Sequence, residues 1–234
     1  MPQLRLDRVS KSFPQEHCLI PAVQDISLTI EQGEFVFLTG SSGAGKSTLL
    51  RLLFADLQPD RGSVFLGNAN LTRMTRWGRD RARNLYGYVP QISQLMRKRT
   101  IGENLSAVAI LDGRRKDGSV QERVQKVLAM VGLPGVERYY PIQLSLGECR
   151  RVELARAMIR SAPILLLDEL TANLDEDTCW DIFHLLDELN HRGTTVVMAT
   201  HAKPFVNLMR KRVVTLVDGR VFSDVEKGRY GEIC

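Results

Sequence analysis

No apolar run in this sequence approaches the roughly 18 residues that a membrane-spanning helix requires. A role at a membrane is therefore expected to come through a partner. The opening stretch, MPQLRLDRVSKSF, is charged and alternating, which does not fit a secretory signal. Cysteine is sparse: Cys18, Cys149, Cys179 and Cys234 stand far apart with no C-x-x-C pair. That spacing argues against a zinc site or a redox motif and suits reduced thiols in a cytoplasmic protein. Aromatic residues make up only 6% of the chain, and they do not interleave with basic ones as a base-stacking platform would need. Direct nucleic-acid binding is not expected. There is no internal repeat and no low-complexity linker.

What is present is an ordinary folded composition, 44% hydrophobic and 25% charged, over 234 residues. That length suits one domain carrying an inserted lobe. The net charge is +5. Its basic residues cluster at Arg73 to Arg83 (RMTRWGRDRAR), at Arg97, Lys98 and Arg99, and at Arg210, Lys211 and Arg212. Such clusters read as solvated faces or as a surface lying near anionic lipid headgroups.

LRLDRVSKSF and AVQDISLTI alternate apolar and polar residues and predict two strands. EFVFLTG is a continuous apolar run of the kind that forms a buried parallel strand. It passes into a helical spacing of Leu49, Leu50, Leu53 and Leu57, and SVFLG is a further short strand. A polar, helix-prone middle runs from about Ile92 to Arg160 and includes SVQERVQKVLAMVGL. PILLLDEL and TTVVMATH are two more buried strands, separated by the amphipathic helix DTCWDIFHLLDELNHRG. RVVTLVDGRVFSD predicts a hairpin turning at Asp218-Gly219. Strands alternating with helices imply an α/β fold with a mainly parallel sheet. Residues 1–91 and 161–234 would form its core, and about 92–160 an inserted helical lobe.

Gly40, Ser41, Ser42, Gly43, Ala44, Gly45, Lys46 and Ser47 fit G-x-x-x-x-G-K-[ST] between a predicted strand and a predicted helix. Glycines let the backbone fold tightly enough for successive N–H groups to face phosphate oxygens. Lys46 is expected to reach the β- and γ-phosphates and the Ser47 hydroxyl to ligate Mg²⁺, with Thr48 following on the helix. The strand ILLLDE ends in two acids: Asp168 is expected to hold a water on Mg²⁺ and Glu169 to orient or deprotonate the attacking water. His201 stands at the carboxyl end of another strand, where open α/β sheets place their ligands. Gln91, after YGYVP, is unremarkable by itself, and His184 and His191 carry no role.

In this order, Phe13, Gly40–Ser47, Gln91, Leu144–Glu148, Asp168-Glu169, Asn173-Leu174-Asp175 and His201 resemble the motifs of ABC-type ATPases, the nucleotide-binding subunits of ABC transporters and related machines. The resemblance covers almost the whole chain. It implies a P-loop NTPase core with an antiparallel β subdomain and an α-helical lobe. It also implies that Phe13 stacks on adenine, that Gln91 touches Mg²⁺ and senses the lobe, and that His201 contacts the γ-phosphate. Ser145, Gly147 and Glu148 belong to the signature, whose serine and glycine would meet ATP bound on the opposite subunit of a head-to-tail homodimer. Asp175 would link the two sites. The stretches EFVFLTGSSGAGKSTLLRLL, YYPIQLSLGE and TTVVMATH look closest to the bacterial cell-division branch of the family. Lipoprotein-releasing and macrolide-export branches share much of them. A polytopic membrane subunit of permease type is the implied partner, docking beside Gln91 at SQLMRKRT and holding the protein on the inner face of the plasma membrane. A soluble regulatory or DNA-associated ATPase is the alternative class. The sequence departs from the family pattern at Leu146, where a glycine is usual, at Leu170, which replaces a proline and is expected to loosen that turn, and at Cys149.

Overall fold

The two alternating stretches fold as long antiparallel strands, β1 (Leu4–Gln15) and β2 (Cys18–Ile30), in a computed structural model that describes residues 3–15, 18–110 and 119–231. Cys234 lies outside the described residues. The apolar run that follows becomes β3 (Phe35–Thr39), buried along its whole length, and leads through the glycine-rich loop into α1 (Lys46–Leu53). Next come β4 (Arg61–Leu66), β5 (Ala69–Asn70), α2 (Arg76–Ala82) and β6 (Tyr86–Val89). Three helices then pack on one another: α3 (Ile101–Ile110), α4 (Ser119–Met130) and α5 (Leu146–Met158). The chain returns through β7 (Ile164–Asp168), α6 (Glu176–His191), β8 (Thr195–Ala199) and α7 (Lys203–Met209). It closes with β9 (Arg212–Val217) and β10 (Arg220–Val225), joined at Asp218-Gly219 with φ of 47° and 74°, the left-handed pair a tight hairpin requires.

The main sheet has the order β10-β9-β3-β8-β7-β6, parallel throughout except for the β9–β10 hairpin. A second, antiparallel sheet runs β2-β1-β4-β5. Strand alternation divides the core in two. Phe35 and Phe37 point into a cluster with residues of α5 and α6, while Val36 and Leu38 point into one with α1 and the antiparallel sheet. An eight-residue helix is unstable alone. α1 is held by Leu49, Leu50, Leu52 and Leu53, all fully buried, each contributing about 2 kcal/mol of transfer free energy.

Three details differ from the sequence reading. α1 stops at Leu53, because Ala55 takes φ 57° and the amides of Asp56 and Leu57 both turn back to the Arg51 carbonyl, so Leu57 lies beyond the helix. The middle of the Arg73–Arg83 cluster forms a helix, α2, capped by the Thr75 side chain and burying none of its residues. In the third basic cluster Arg210 is exposed, but its other two members are tied into the fold. Lys211 pairs with Asp187 at 2.8 Å, and Arg212 bridges Glu34 at 2.9 Å and Asp224 at 2.6 Å. Cys18, Cys149 and Cys179 are free thiols, and among the described residues no helix is long and apolar enough to cross a membrane.

Candidate nucleotide-binding site

The glycine loop sits where β3 ends and α1 begins, and its neighbours press against it. A Cβ on Gly45 would lie 2.4 Å from the Ala22 carbonyl oxygen, and one on Gly40 would lie 2.3 Å from that of Leu216. Both residues also have positive φ, 101° and 139°, so no other residue fits either place. The β9–β10 turn buttresses the loop from outside, with the Gly219 amide donating to the Ala44 carbonyl. Lys46 is buried, and its ammonium donates to the carbonyls of Gly40 and Ser41 at 2.9 Å each. Burial holds the Lys46 pKa below the ordinary range, partly offset by Glu169 and Asp168.

The two acids at the end of β7 have different surroundings. Asp168 is 2% exposed, and its Oδ1 is buried with no hydrogen-bond partner among the described residues. Burial raises its pKa, opposed by a hydrogen bond from the Ser47 hydroxyl, with Glu169 raising it further. An unpaired buried oxygen beside a hydroxyl suits a hard divalent cation that shares its other ligands with phosphates and water. Glu169 has φ 50°, held by its amide donating to the Ala199 carbonyl at 2.9 Å. Its two carboxylate oxygens face different partners: Oε1 lies 3.2 Å from His201 Nε2, and Oε2 accepts from Gln91 Nε2 at 3.4 Å. The same His201 Nε2 lies 3.2 Å from Lys46 Nζ. Loop, lysine, acid, glutamine and histidine thus converge. Leu170, read from the sequence as a looser turn, is fully buried in the larger core cluster and fixes the turn by packing.

A cavity of about 150 Å³ opens between these groups, lined by Ala22, Ser42, Gly43, Gly45, Lys46, Ser47, Thr48, Gln91 and Glu169. It is small and polar, the size of a phosphate cluster and not of a whole nucleotide. Wider hollows exist, such as one of about 700 Å³ between α3 and α4, but none of these gathers reactive groups of this kind.

Other residues singled out from the sequence do not line this cavity. Phe13 lies near the far end of the β1–β2 hairpin, partly exposed, with Lys11 Nζ 5.8 Å above its ring. Ser145 caps α5 in a reciprocal box: Glu148 accepts from the Ser145 amide at 2.8 Å while its own amide donates to Ser145 Oγ at 3.2 Å. The hydrogen bonds that its carboxylate accepts from the Ser145 amide and hydroxyl lower the Glu148 pKa. Gly147 packs toward Thr178 and Leu174, and Asp175 caps α6 by accepting from the Thr178 amide at 2.8 Å. The starts of α5 and α6 therefore form one exposed patch apart from the glycine loop. Leu146, first residue of α5, is 54% exposed.

Two contributors were not legible in the sequence. Tyr230, in a tail without a motif, places its hydroxyl 3.2 Å from His201 Nδ1. With Nε2 protonated toward Glu169, Nδ1 accepts this hydroxyl proton, which fixes the ring. Tyr230→Phe is expected to lower kcat about fivefold, the loss of about one neutral hydrogen bond, with ATP affinity unchanged; steady-state phosphate release against a nucleotide titration checks this. Arg150 is the second. It pairs with buried Glu153 at 2.9 Å and donates to the Gln91 carbonyl at 2.7 Å, so α5 is tied directly to the Gln91 segment. Only the Arg-x-x-Glu spacing after the signature could have signalled it.

Comparison with known proteins agrees with this geometry. The family model described as ABC transporter matches residues 23–172. The cell division ATP-binding protein FtsE of Bacillus subtilis is 37% identical over 97% of this chain and 98% of its own length. FtsE of Mycobacterium tuberculosis is 40% identical over the same shares. Among solved structures, the ATP-binding cassette MJ0796, bound to ADP and Pi as a dimer in a post-hydrolysis state, superposes with a TM-score of 0.90 at 31% identity, covering 97% of this chain and all of that one. On the phosphate loop, the paired acids and these likenesses together, the chain belongs to the ABC transporter family of ATP-binding cassettes and is similar, over nearly all its length, to FtsE.

Proposed function

We propose that this protein hydrolyses ATP as a head-to-tail homodimer and passes the resulting motion to an integral membrane subunit of the FtsX kind in bacterial cell division. The observation that carries the reading is the convergence of Lys46, Glu169 and His201 within 3.2 Å contacts beside the glycine loop. ATP lays its phosphates along Gly40–Ser47, with Lys46 turned from the Gly40 and Ser41 carbonyls to the β- and γ-phosphates and Phe13 on the adenine. Ser47 and Asp168, with Gln91 adjacent, would hold Mg²⁺, which would supply neutralisation of the phosphate charge. Glu169 takes a proton from the attacking water as its oxygen bonds to the γ-phosphorus. The bridging bond to the β-phosphate breaks, leaving ADP and phosphate. His201 steadies the γ-phosphate and is itself steadied by Tyr230.

Ser145 and Gly147 cap the nucleotide of the second copy, which accounts for their lying apart from their own chain's phosphate loop. Likeness to a dimeric cassette supports this. The exposed Leu146 side chain sits on that closing face and slows turnover. Leu146→Gly is expected to raise the ATPase rate about threefold, worth ~0.7 kcal/mol of barrier; an unchanged rate removes the idea.

The membrane subunit docks beside Gln91, where Ile92 and Met96 are exposed next to Arg97, Lys98 and Arg99. This holds the protein peripherally on the cytoplasmic face. Likeness to FtsE over nearly the whole chain supports the assignment. The test is a pull-down from detergent-solubilised membranes with Glu169→Gln loaded with ATP. Recovery of an FtsX-like protein is expected. Recovery of a lipoprotein-release or export permease moves the assignment to that class, and recovery of no membrane protein by an ATP-loaded bait overturns the membrane coupling.

A further inference from the structure

The positive charge of this protein is concentrated in one stretch. From Arg73 to Arg99 there are eight cations against a single acid, Asp80, more than the net +5 of the whole chain. Some of these cations are structural. Arg83 pairs with Asp80 at 2.7 Å, donates to the Ala55 carbonyl at 2.6 Å and lies over the Phe54 ring, and Arg79 donates to the Met74 carbonyl at 2.6 Å. These contacts fasten α2 to the end of α1. Arg73, Arg76 and Arg81 are exposed and make no ion pair among the described residues. Between them stands Trp77, 77% exposed on a helix that buries no residue. The contrast with Arg210 to Arg212 is sharp, since Lys211 and Arg212 there are consumed by carboxylates of the fold. One short strand beyond α2, the chain emerges at exposed Ile92, Met96 and Arg97 to Arg99, which continues the same chemistry.

Protein interfaces also enrich tryptophan and arginine, but around a packed core of several apolar side chains, and α2 offers only Ala82 beside Trp77. A lone ring also makes a poor platform for stacking successive bases. It suits the headgroup layer of an anionic bilayer, where tryptophan sits at the interface and each nearby arginine gains from the negative surface. We propose that α2, with Trp77 at its tip and Arg73, Arg76 and Arg81 around it, contacts anionic phospholipid directly, a second attachment independent of any membrane-protein partner.

The test uses the purified full chain and lipid alone, so its outcome is separable from that of the pull-down. Vesicles of phosphatidylcholine are compared with vesicles that also contain phosphatidylglycerol. Sedimentation with the anionic vesicles only is expected, weakened by salt, with a blue shift of tryptophan emission. The chain has two tryptophans, and Trp77→Phe leaves only Trp180, so the shift should disappear in that variant. Arg76→Gln with Arg81→Gln should weaken vesicle binding about 25-fold, roughly fivefold for each arginine, while ATP binding stays unchanged and reports an intact fold. Equal binding to neutral vesicles overturns the proposal. So do undiminished binding by the folded double variant, an unmoved Trp77 signal, and capture of RNA without capture of vesicles.

Discussion

Glu169→Gln is expected to lower kcat by about 10² to 10⁴, the range a positioned general base supplies, while ATP still binds. Glu169 is held in a left-handed backbone conformation by the hydrogen bond its amide donates to the Ala199 carbonyl, and its carboxylate is oriented from two sides by His201 and Gln91. Glutamine keeps the shape and still fits between those neighbours, so the phosphate loop and Asp168 are undisturbed. What it loses is the capacity to take a proton from water. Phosphate release and equilibrium nucleotide binding, measured side by side, separate the two. Retention of more than a tenth of the activity would show that another group accepts the proton.

Arg150→Met is expected to destabilise the protein by about 3 to 5 kcal/mol, the cost of leaving one member of a buried ion pair alone. Glu153 is 1% exposed, and its carboxylate also accepts from the Gln94 amide at 3.2 Å. Without Arg150 this charge loses its ion-pair partner and keeps only the more distant attraction of Arg156, and the carbonyls of Pro90 and Gln91 lose this donor. In a domain of this size the loss corresponds to a fall in Tm of roughly 10 °C. Adding Glu153→Leu to Arg150→Met should recover part of it, because the uncompensated charge goes with it. If the single variant melts with the wild type, the tie between α5 and the Gln91 segment is not structural. The same contact connects the helix carrying Ser145 to the residue that touches Glu169, which gives the lobe a physical route to the hydrolytic centre.

The residues legible in the sequence were those whose signal is local. β3, β7 and β8 are continuous apolar runs, each buried along its length. The glycine loop and the acids at the end of β7 follow directly from them, and the Asp218-Gly219 turn is written in two adjacent residues. Pairing was less visible. β1 lies between β2 and β4, and its register with β4 depends on residues about sixty positions apart, which no local pattern encodes. α2 was hidden because a helix without a buried face has no apolar period. α7 is seven residues long and buries only Phe205 and Val206, with Met209 packed partly against the core. Tyr230 and Arg150 reach the site through the fold alone, one from the end of the chain and one from a helix that crosses beneath the Gln91 segment. Leu170 is the opposite case, since the missing proline drew attention while complete burial supplies the rigidity.

In the proposed dimer each chain carries half of two composite sites, with Ser145 and Gly147 serving the nucleotide of a second copy. Light scattering of Glu169→Gln with and without magnesium and ATP tests it most directly. A species with the 26.4 kDa mass of one chain is expected without ATP, and one of twice that mass with it. A mass that stays at that of one chain while ATP is demonstrably bound would contradict it.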